Sequence, residues 1–431
     1  RRAAARREAG RRDALGLPVA RGGRRAVILR NRAITALTAA QLVSSLGTQM
    51  TWLALPWFVL VTTGSASRMA VVFAVEVLPV ALFGLLSGTV VQRWGTRRTM
   101  LVADAAAAPL IALVPILHAA GVLSFGLLLA IVFAISTFAT PYFSSTRLLV
   151  AEILRDDERG VAQANSVLEG TMQLAGFVGP ALAGVLIGTL SATSVLWIDA
   201  CSYLASFLLL VAFVPRVEAP PASEEASGVL AGLRFILRDR LLRAIGGVSF
   251  LFGIFIPFLF VALPVLALEQ YDGSPQAAGW LFAAWGAGSV AGSVLAFRAS
   301  ATTAPLRLAL IACILCALPL WLLVPTPPLW LAVGAIFACS FFVPAINVPV
   351  LSLFTLRTPP ALRGKVMTAL ITSNGLARPL SFALAGPLLH AAGLTGVFVI
   401  VAGGVSVAAA CFVAAVSSQS AVRIGASEEA A

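Results

Sequence analysis

The stretch Gly88-Thr89-Val90-Val91-Gln92-Arg93-Trp94-Gly95-Thr96-Arg97-Arg98 joins two apolar runs, residues 69–91 and 99–118. Each run is long enough to cross a bilayer as a helix, which takes roughly 20 apolar residues. Three arginines in so short a turn hold it on the cytoplasmic side, because short basic loops resist translocation. The same alternation of apolar run and basic gap continues in both directions. Hydropathy and chain breakers predict spans over residues 34–62, 69–91, 99–118, 123–147, 161–190, 195–214, 242–267, 276–297, 306–324, 329–356, 364–390 and 397–416. With that assignment, 28 of the 30 lysines and arginines fall on one side of the membrane. Arg68 alone lies in an opposite-side loop, and Arg378 lies inside a span. The expected fold is therefore an all-α membrane protein of twelve transmembrane helices. It sits in the cell (plasma or inner) membrane as a multi-pass protein with both termini cytoplasmic.

Composition agrees. Hydrophobic residues make up 59% of the chain and charged residues 11%, against roughly 45–50% and about 25% in soluble domains. The net charge of +12 sits in loops that face anionic headgroups, so the lipid bilayer, not nucleic acid, is its expected partner. Eleven arginines occupy residues 1–32, and residues 1–33 read as a disordered cytoplasmic arm. The halves are expected at 34–214 and 242–416, with a cytoplasmic central loop at 215–241 and a tail at 417–431. Within the loop, residues 233–242 read as an amphipathic surface segment. Five cysteines all lie in apolar runs, so no disulfide framework is implied. Cys313 and Cys316 form a CxxC inside a helix with no second ligand pair, so no metal is expected.

The halves echo each other. Leu154-Arg155 with Arg159-Gly160, and Leu356-Arg357 with Arg363-Gly364, precede helices carrying Gly179-Pro180 and Gly386-Pro387. Two six-helix repeats with a site between them near the midplane are a mark of secondary transporters.

The turn quoted above resembles the G-x-x-x-D-R-x-G-R-R signature of the major facilitator superfamily, carried here by Gly88, Gln92, Arg93, Gly95, Arg97 and Arg98. Gln92 stands where the family has Asp, so the usual carboxylate interaction is missing or replaced. Gly176, Gly179, Pro180 and Gly184 resemble the G-P-x-x-G-G element of proton-coupled exporters, with Ala183 in place of one glycine. Ser44-Ser45-Leu46-Gly47, Ala54-Leu55-Pro56, Asp199-Ala200 and Arg363-Gly364 resemble the drug- and siderophore-exporting branch that includes macrolide and enterobactin exporters. The likeness runs from about residue 34 to 416. It implies two packed six-helix halves. It also implies a cavity lined by the first, fourth, seventh and tenth helices, where Thr140, Tyr142, Phe255 and Phe258 become candidates.

Charged side chains inside spans are costly and face a bundle interior or water. Asp104 and Arg147 lie at similar depth and are expected to form a structural ion pair. Glu169 sits two turns inside the fifth span and Asp199 one turn from the outer end of the sixth. Both are candidates for proton coupling or gating, with structural pairing as the plainer reading. Glu76 and Arg378 lie far from any helix end, at matching depth on two helices that the family fold makes neighbours. Both are candidates for proton coupling, gating or substrate contact, and a pair between them is expected, the alternative being that each faces the water-filled cavity alone. Gln49, Asn347 and Asn374 add polar groups at comparable depth.

These residues point to a proton-coupled efflux carrier for amphipathic small molecules, acting as a monomer. It needs no cofactor beyond a proton gradient. No G-x-x-x-x-G-K-[ST] loop is present, so ATP does not drive it directly. Uptake by the same fold, and a non-transporting sensor or scaffold kept alive by Gln92, stay open. An enzyme is not expected, because Asp156-Asp157-Glu158, the sole acidic cluster, is flanked by Arg155 and Arg159 as a solvated turn.

Overall fold

The computed structural model describes residues 31–154, 158–215, 229–300, 303, 305–359 and 362–428. The basic arm to residue 30, Arg155, Asp156 and Asp157, residues 216–228 of the central loop and the last three residues lie outside them. No strand occurs among the described residues. In hydrocarbon every backbone polar group must be satisfied within its own segment, and a helix does this.

The first half comprises α1 (Arg32–Thr63), α2 (Ala66–Trp94), α3 (Thr96–Ala119), α4 (Phe125–Leu154), α5 (Glu158–Thr189) and α6 (Ala192–Phe213). A surface helix, α7 (Val229–Arg238), leads into α8 (Arg240–Gln270), α9 (Pro275–Ser300), α10 (Pro305–Ala317), α11 (Leu329–Arg357) and α12 (Arg363–Glu428). Local chemistry sets the ends. The Asn31 side chain accepts from the amide of Ala33 at 3.0 Å and caps α1. Gly64 closes that helix in the left-handed region, φ 62°, and the Ser65 hydroxyl caps α2.

Two boundaries differ from expectation. The amphipathic segment ends at Arg238, because the Asp239 carboxylate accepts from the amides of Leu241 and Leu242 at 2.8 and 2.9 Å and so starts α8. The last two expected spans run on as α12, broken only at Gly393 (φ 66°, ψ −178°). Among the described residues, ten stretches are long and apolar enough to cross a membrane, the last being the 40-residue Gly375–Ala414. A count of twelve requires the two arms of α12 to be taken separately and α1 to be included. α1 has the length, but Gln41, Ser44, Ser45, Thr48, Gln49 and Thr51 lower its hydropathy.

Within the first half α1 packs on α5 and α6, and α3 on α4 and α6; in the second, α8 packs on α12 and α9 on α11. The halves meet along two seams, α5 with α9 and α2 with α12. At the first seam a Cβ on Gly184 would stand 2.8 Å from Cα of Gly279 and from the carbonyl oxygen of Pro275. At the second, a Cβ on Gly386 would stand 2.6 Å from Cα of Ser67. Only glycine permits such backbone approach. Both contacts lie at the end of the bundle opposite the Arg97–Arg98 turn, hereafter the far end; the other is the basic end.

Candidate functional site

Between the halves lies a cavity of about 640 Å³, within the roughly 300–1,000 Å³ typical of small-molecule sites. The first half contributes Gln49, Trp52, Val77, Gly176 and Pro180 to its wall. The second contributes an aromatic face, Phe252, Phe260, Trp285 and Phe382, with Asn347 and Arg378. Ile245, Val350 and Leu370 also line it, each within about two helical turns of the basic end. At the far end three rings from both halves close over it. Phe73 stacks on Phe382 at 5.3 Å and 14°, and Trp52 meets their edges at 5.5 and 6.4 Å.

Helical phase decides which expected lining residues reach the cavity. Gln49 and Asn347 do. Phe255 and Phe258 do not: α8 lines the cavity from Ile245 to Phe260 through residues 245, 248, 249, 252, 253, 256, 257 and 260, a face that excludes both. Phe255 instead covers Gly404 and tilts against buried Phe258 at 6.5 Å. Thr140 is buried with its hydroxyl on the carbonyl of Ser136. The Asn374 side chain lies outside the described residues.

Tyr142 lines a second, smaller pocket of about 120 Å³ inside the first half, with Gln41, Ser44, Thr48, Asp104 and Tyr203. Gln49 borders both pockets. Here Ser206 donates to Asp104 Oδ2 at 2.7 Å while Oδ1 has no partner. Ser206 thereby spends its proton, so the Tyr142 hydroxyl at 3.4 Å donates to Ser206. Thr48 donates to the Ser44 carbonyl at 2.9 Å, so the Tyr203 hydroxyl donates to Thr48 at 3.0 Å. One turn further along α6, Thr51 donates to Asp199 Oδ2 at 2.6 Å and Ser202 to Oδ1 at 3.1 Å. The hydroxyl partners were not among the expected site residues. Their signal is the stripe Asp199, Ser202, Tyr203, Ser206 at helical spacing, which puts four polar groups on one face of an otherwise apolar α6.

Two expected ion pairs are absent. Asp104 does not meet Arg147, because the buried face of α4 carries Tyr142, Ser145, Thr146, Leu149 and Val150 and turns Arg147 outward. There Arg147 bridges Glu169 at 3.3 Å, with the two side chains 73% and 53% exposed. Glu76 and Arg378 sit one turn below the aromatic closure, on Phe73 and Phe382 respectively, but make no pair. Glu76 Oε2 is buried without a hydrogen-bond partner, and Arg378 opens onto the cavity.

In the exporter element, a Cβ on Gly179 would come within 2.7 Å of Gln49 Cβ, and one on Gly176 within 3.2 Å of Gln49 Nε2. Gly184 serves the seam with α9, and Pro180 reaches the cavity. At the signature turn, Gly95 takes φ 80°, ψ 151°, a left-handed backbone that favours glycine. Arg97 donates to the carbonyls of Val214, Val211 and Leu210 at 2.7, 3.1 and 3.3 Å, closing the C-terminus of α6. Thr96 donates to Glu152 Oε2 at 2.5 Å. Gln92, Arg93 and Arg98 are exposed. Gly88, expected to allow close helix approach, has nothing within 4 Å of an added Cβ.

The family description Major Facilitator Superfamily matches residues 37–381 and 244–429. The multidrug efflux pump Tap of Mycobacterium bovis is 28% identical over 386 residues, 84% of this chain and 88% of that protein. A pump of the same name from Mycolicibacterium fortuitum is 28% identical over 383 residues, 83% and 90% of the two. Among solved structures, the nucleoside transporter NupG superposes with a TM-score of 0.68 at 16% identity, over 89% of this chain and 98% of that one. A bacterial homologue of the iron transporter ferroportin, in an inward-facing state, gives 0.70 at 14% identity, over 89% and 98%. At such identities the structural likenesses show the fold alone.

Proposed function

The chain belongs to the Major Facilitator Superfamily, a multi-pass membrane transporter and not an enzyme, and on that premise we propose that it exports amphipathic small molecules by alternating access, driven by proton entry. The observation that carries this is the central cavity. Both halves wall it, its lining is aromatic and apolar with a few polar groups, and the Trp52–Phe73–Phe382 contact seals one end. A ligand of mixed character suits such a wall.

By the positive-inside rule the basic end is cytoplasmic, so the conformation described is the one that loads from the cytoplasm. Rocking the halves about the site would separate the two glycine seams and release the ligand outward. Export fits the relatives named as multidrug efflux pumps and the Gly179-Pro180 element. Proton coupling is supported by Glu76, Asp104 and Asp199, three carboxyls in one half with hydroxyl partners or none. Each is costly as an unpaired ion, and taking up a proton removes that cost. Asp199, gripped by two hydroxyls beside the cavity-lining α1, is our choice of carrier. The chain acts as a monomer in this reading, with small-molecule substrate, protons and lipid as its partners.

The test uses inside-out vesicles from cells overproducing the chain, given an inward-acid gradient and a panel of fluorescent amphiphiles. Gradient-dependent accumulation of at least one compound is expected. It should be absent in Gly179→Leu at equal protein level. Accumulation that survives collapse of the gradient would remove the proton-coupling part, and no accumulation of any compound would remove the export reading.

A further inference from the structure

We propose that the central cavity selects amphipathic organic anions, holding the acid group of the ligand on Arg378 and its apolar body against the aromatic face of the second half. This rests on the transport reading above and names the substrate class of that site.

Arg378 is the one charged side chain in the cavity wall among the described residues. A guanidinium keeps its charge, and inside a membrane an isolated one is costly, so it calls for a counter-charge. Among the described residues the protein supplies none. The expected partner, Glu76, does not reach it, and Asp104 and Asp199 are engaged by Ser206 and by Thr51 and Ser202 in the other half. None of these three carboxyls lines the cavity.

A carboxylate, sulfonate or enolate could take two parallel hydrogen bonds from the planar guanidinium, the geometry for which arginine is suited. Phe252, Phe260, Trp285 and Phe382 would then cover an aromatic or alicyclic body. Gln49 and Asn347 offer amide hydrogen bonds to its neutral polar groups. A cationic amphiphile entering the same wall would meet like charge and no carboxylate.

The test measures binding of matched probes to the full chain in zwitterionic nanodiscs. N-dansyl-aminohexanoate, N-dansyl-aminohexanol and N-dansyl-aminohexyl-trimethylammonium share one body and differ in charge. Energy transfer from tryptophan, with Trp52 and Trp285 in the wall, reports occupancy. Hydrogen bonds to a charged group predict that the hexanoate binds roughly tenfold tighter than the alcohol or better, and the ammonium weakest. Arg378→Gln should abolish the anion preference, bringing the hexanoate down to the alcohol's affinity, while retained binding of the alcohol reports that the variant is folded. A second measurement needs no variant: decanoate should displace the bound alcohol probe from the native chain at lower concentration than decyltrimethylammonium. Equal affinities, an ammonium preference, no binding of any probe, or an anion preference that survives Arg378→Gln would overturn the proposal. Gradient-driven transport with an ammonium preference would sink the charge assignment and leave the carrier. Anion binding without transport of any compound would sink the carrier reading and leave the assignment.

Discussion

Gly184→Leu is expected to push the carrier out of the state described here. In the native seam an added Cβ would sit 2.8 Å from backbone atoms of both Gly279 and Pro275. Carbon atoms in contact prefer about 3.5–4.0 Å, so the Cβ alone demands that α5 and α9 part by about 1 Å. Neither obstacle is a side chain that can turn away, and the remaining leucine atoms add to the demand. Overpacking of this kind costs about 1–3 kcal/mol. If the cost falls on the far-end-closed state alone, about 2 kcal/mol shifts the balance roughly 30-fold toward the state open at that end. Insertion should be unharmed, since leucine suits lipid. The assay is spin-label distance measurement between Ser191 and Gly273, one far-end loop from each half, in a cysteine-free background. The variant should show a longer distance than the native chain, and Gly184→Ala an intermediate shift. An unchanged distance distribution in a folded Gly184→Leu protein would refute the reasoning, because the seam could then not be a contact exclusive to this state.

Phe73→Leu removes the ring that stacks on Phe382 while keeping most of the volume; aromatic pairs are worth about 0.5–1.5 kcal/mol each, so reagent labelling of a cysteine at Ser67 should rise several-fold. Asp199→Asn keeps a partner for Thr51 but cannot exchange a proton, so downhill flux should persist while gradient-driven accumulation stops; retention of uphill transport would move the proton to Asp104 or Glu76. Thr51→Val withdraws one donor from Asp199 and should shift the pH dependence of transport without abolishing it, as read by initial rates across a pH series. Arg97→Gln forfeits three carbonyl contacts at the end of α6, and a net loss of about 1 kcal/mol, discounted for partial exposure, should lower the melting temperature by about 2–4 °C. Substrate choice should be unaffected, since Arg97 lies far from the cavity.

Features encoded by linear pattern were legible in the sequence. The apolar runs, the basic gaps and the Gly-Pro element follow from residue type and spacing, and Gly95 adopts the left-handed turn for which glycine is suited. Azimuth was not legible. Depth in the membrane placed Asp104 level with Arg147, but one residue turns a helix by about 100°, and Arg147 falls on the outer face of α4. The same error moved Phe255 and Phe258 off the cavity and Phe252 and Phe260 onto it. Glu76 and Arg378 share depth and a helix seam, yet each side chain is directed by its own helical phase. Gly88 shows a different limit. In the state described it has open space beside it, so its place in the signature did not reveal what it packs against.

Substrate and protons are proposed to cross in opposite directions through one carrier. Proteoliposomes holding the purified chain and an internal pH dye, started with no gradient, test it in one reading. A transported amphiphile added outside should drive protons out of the lumen as it enters, so internal pH should rise, and Asp199→Asn should abolish the change while the amphiphile still enters. Amphiphile entry through the native chain with a flat pH trace would contradict the account.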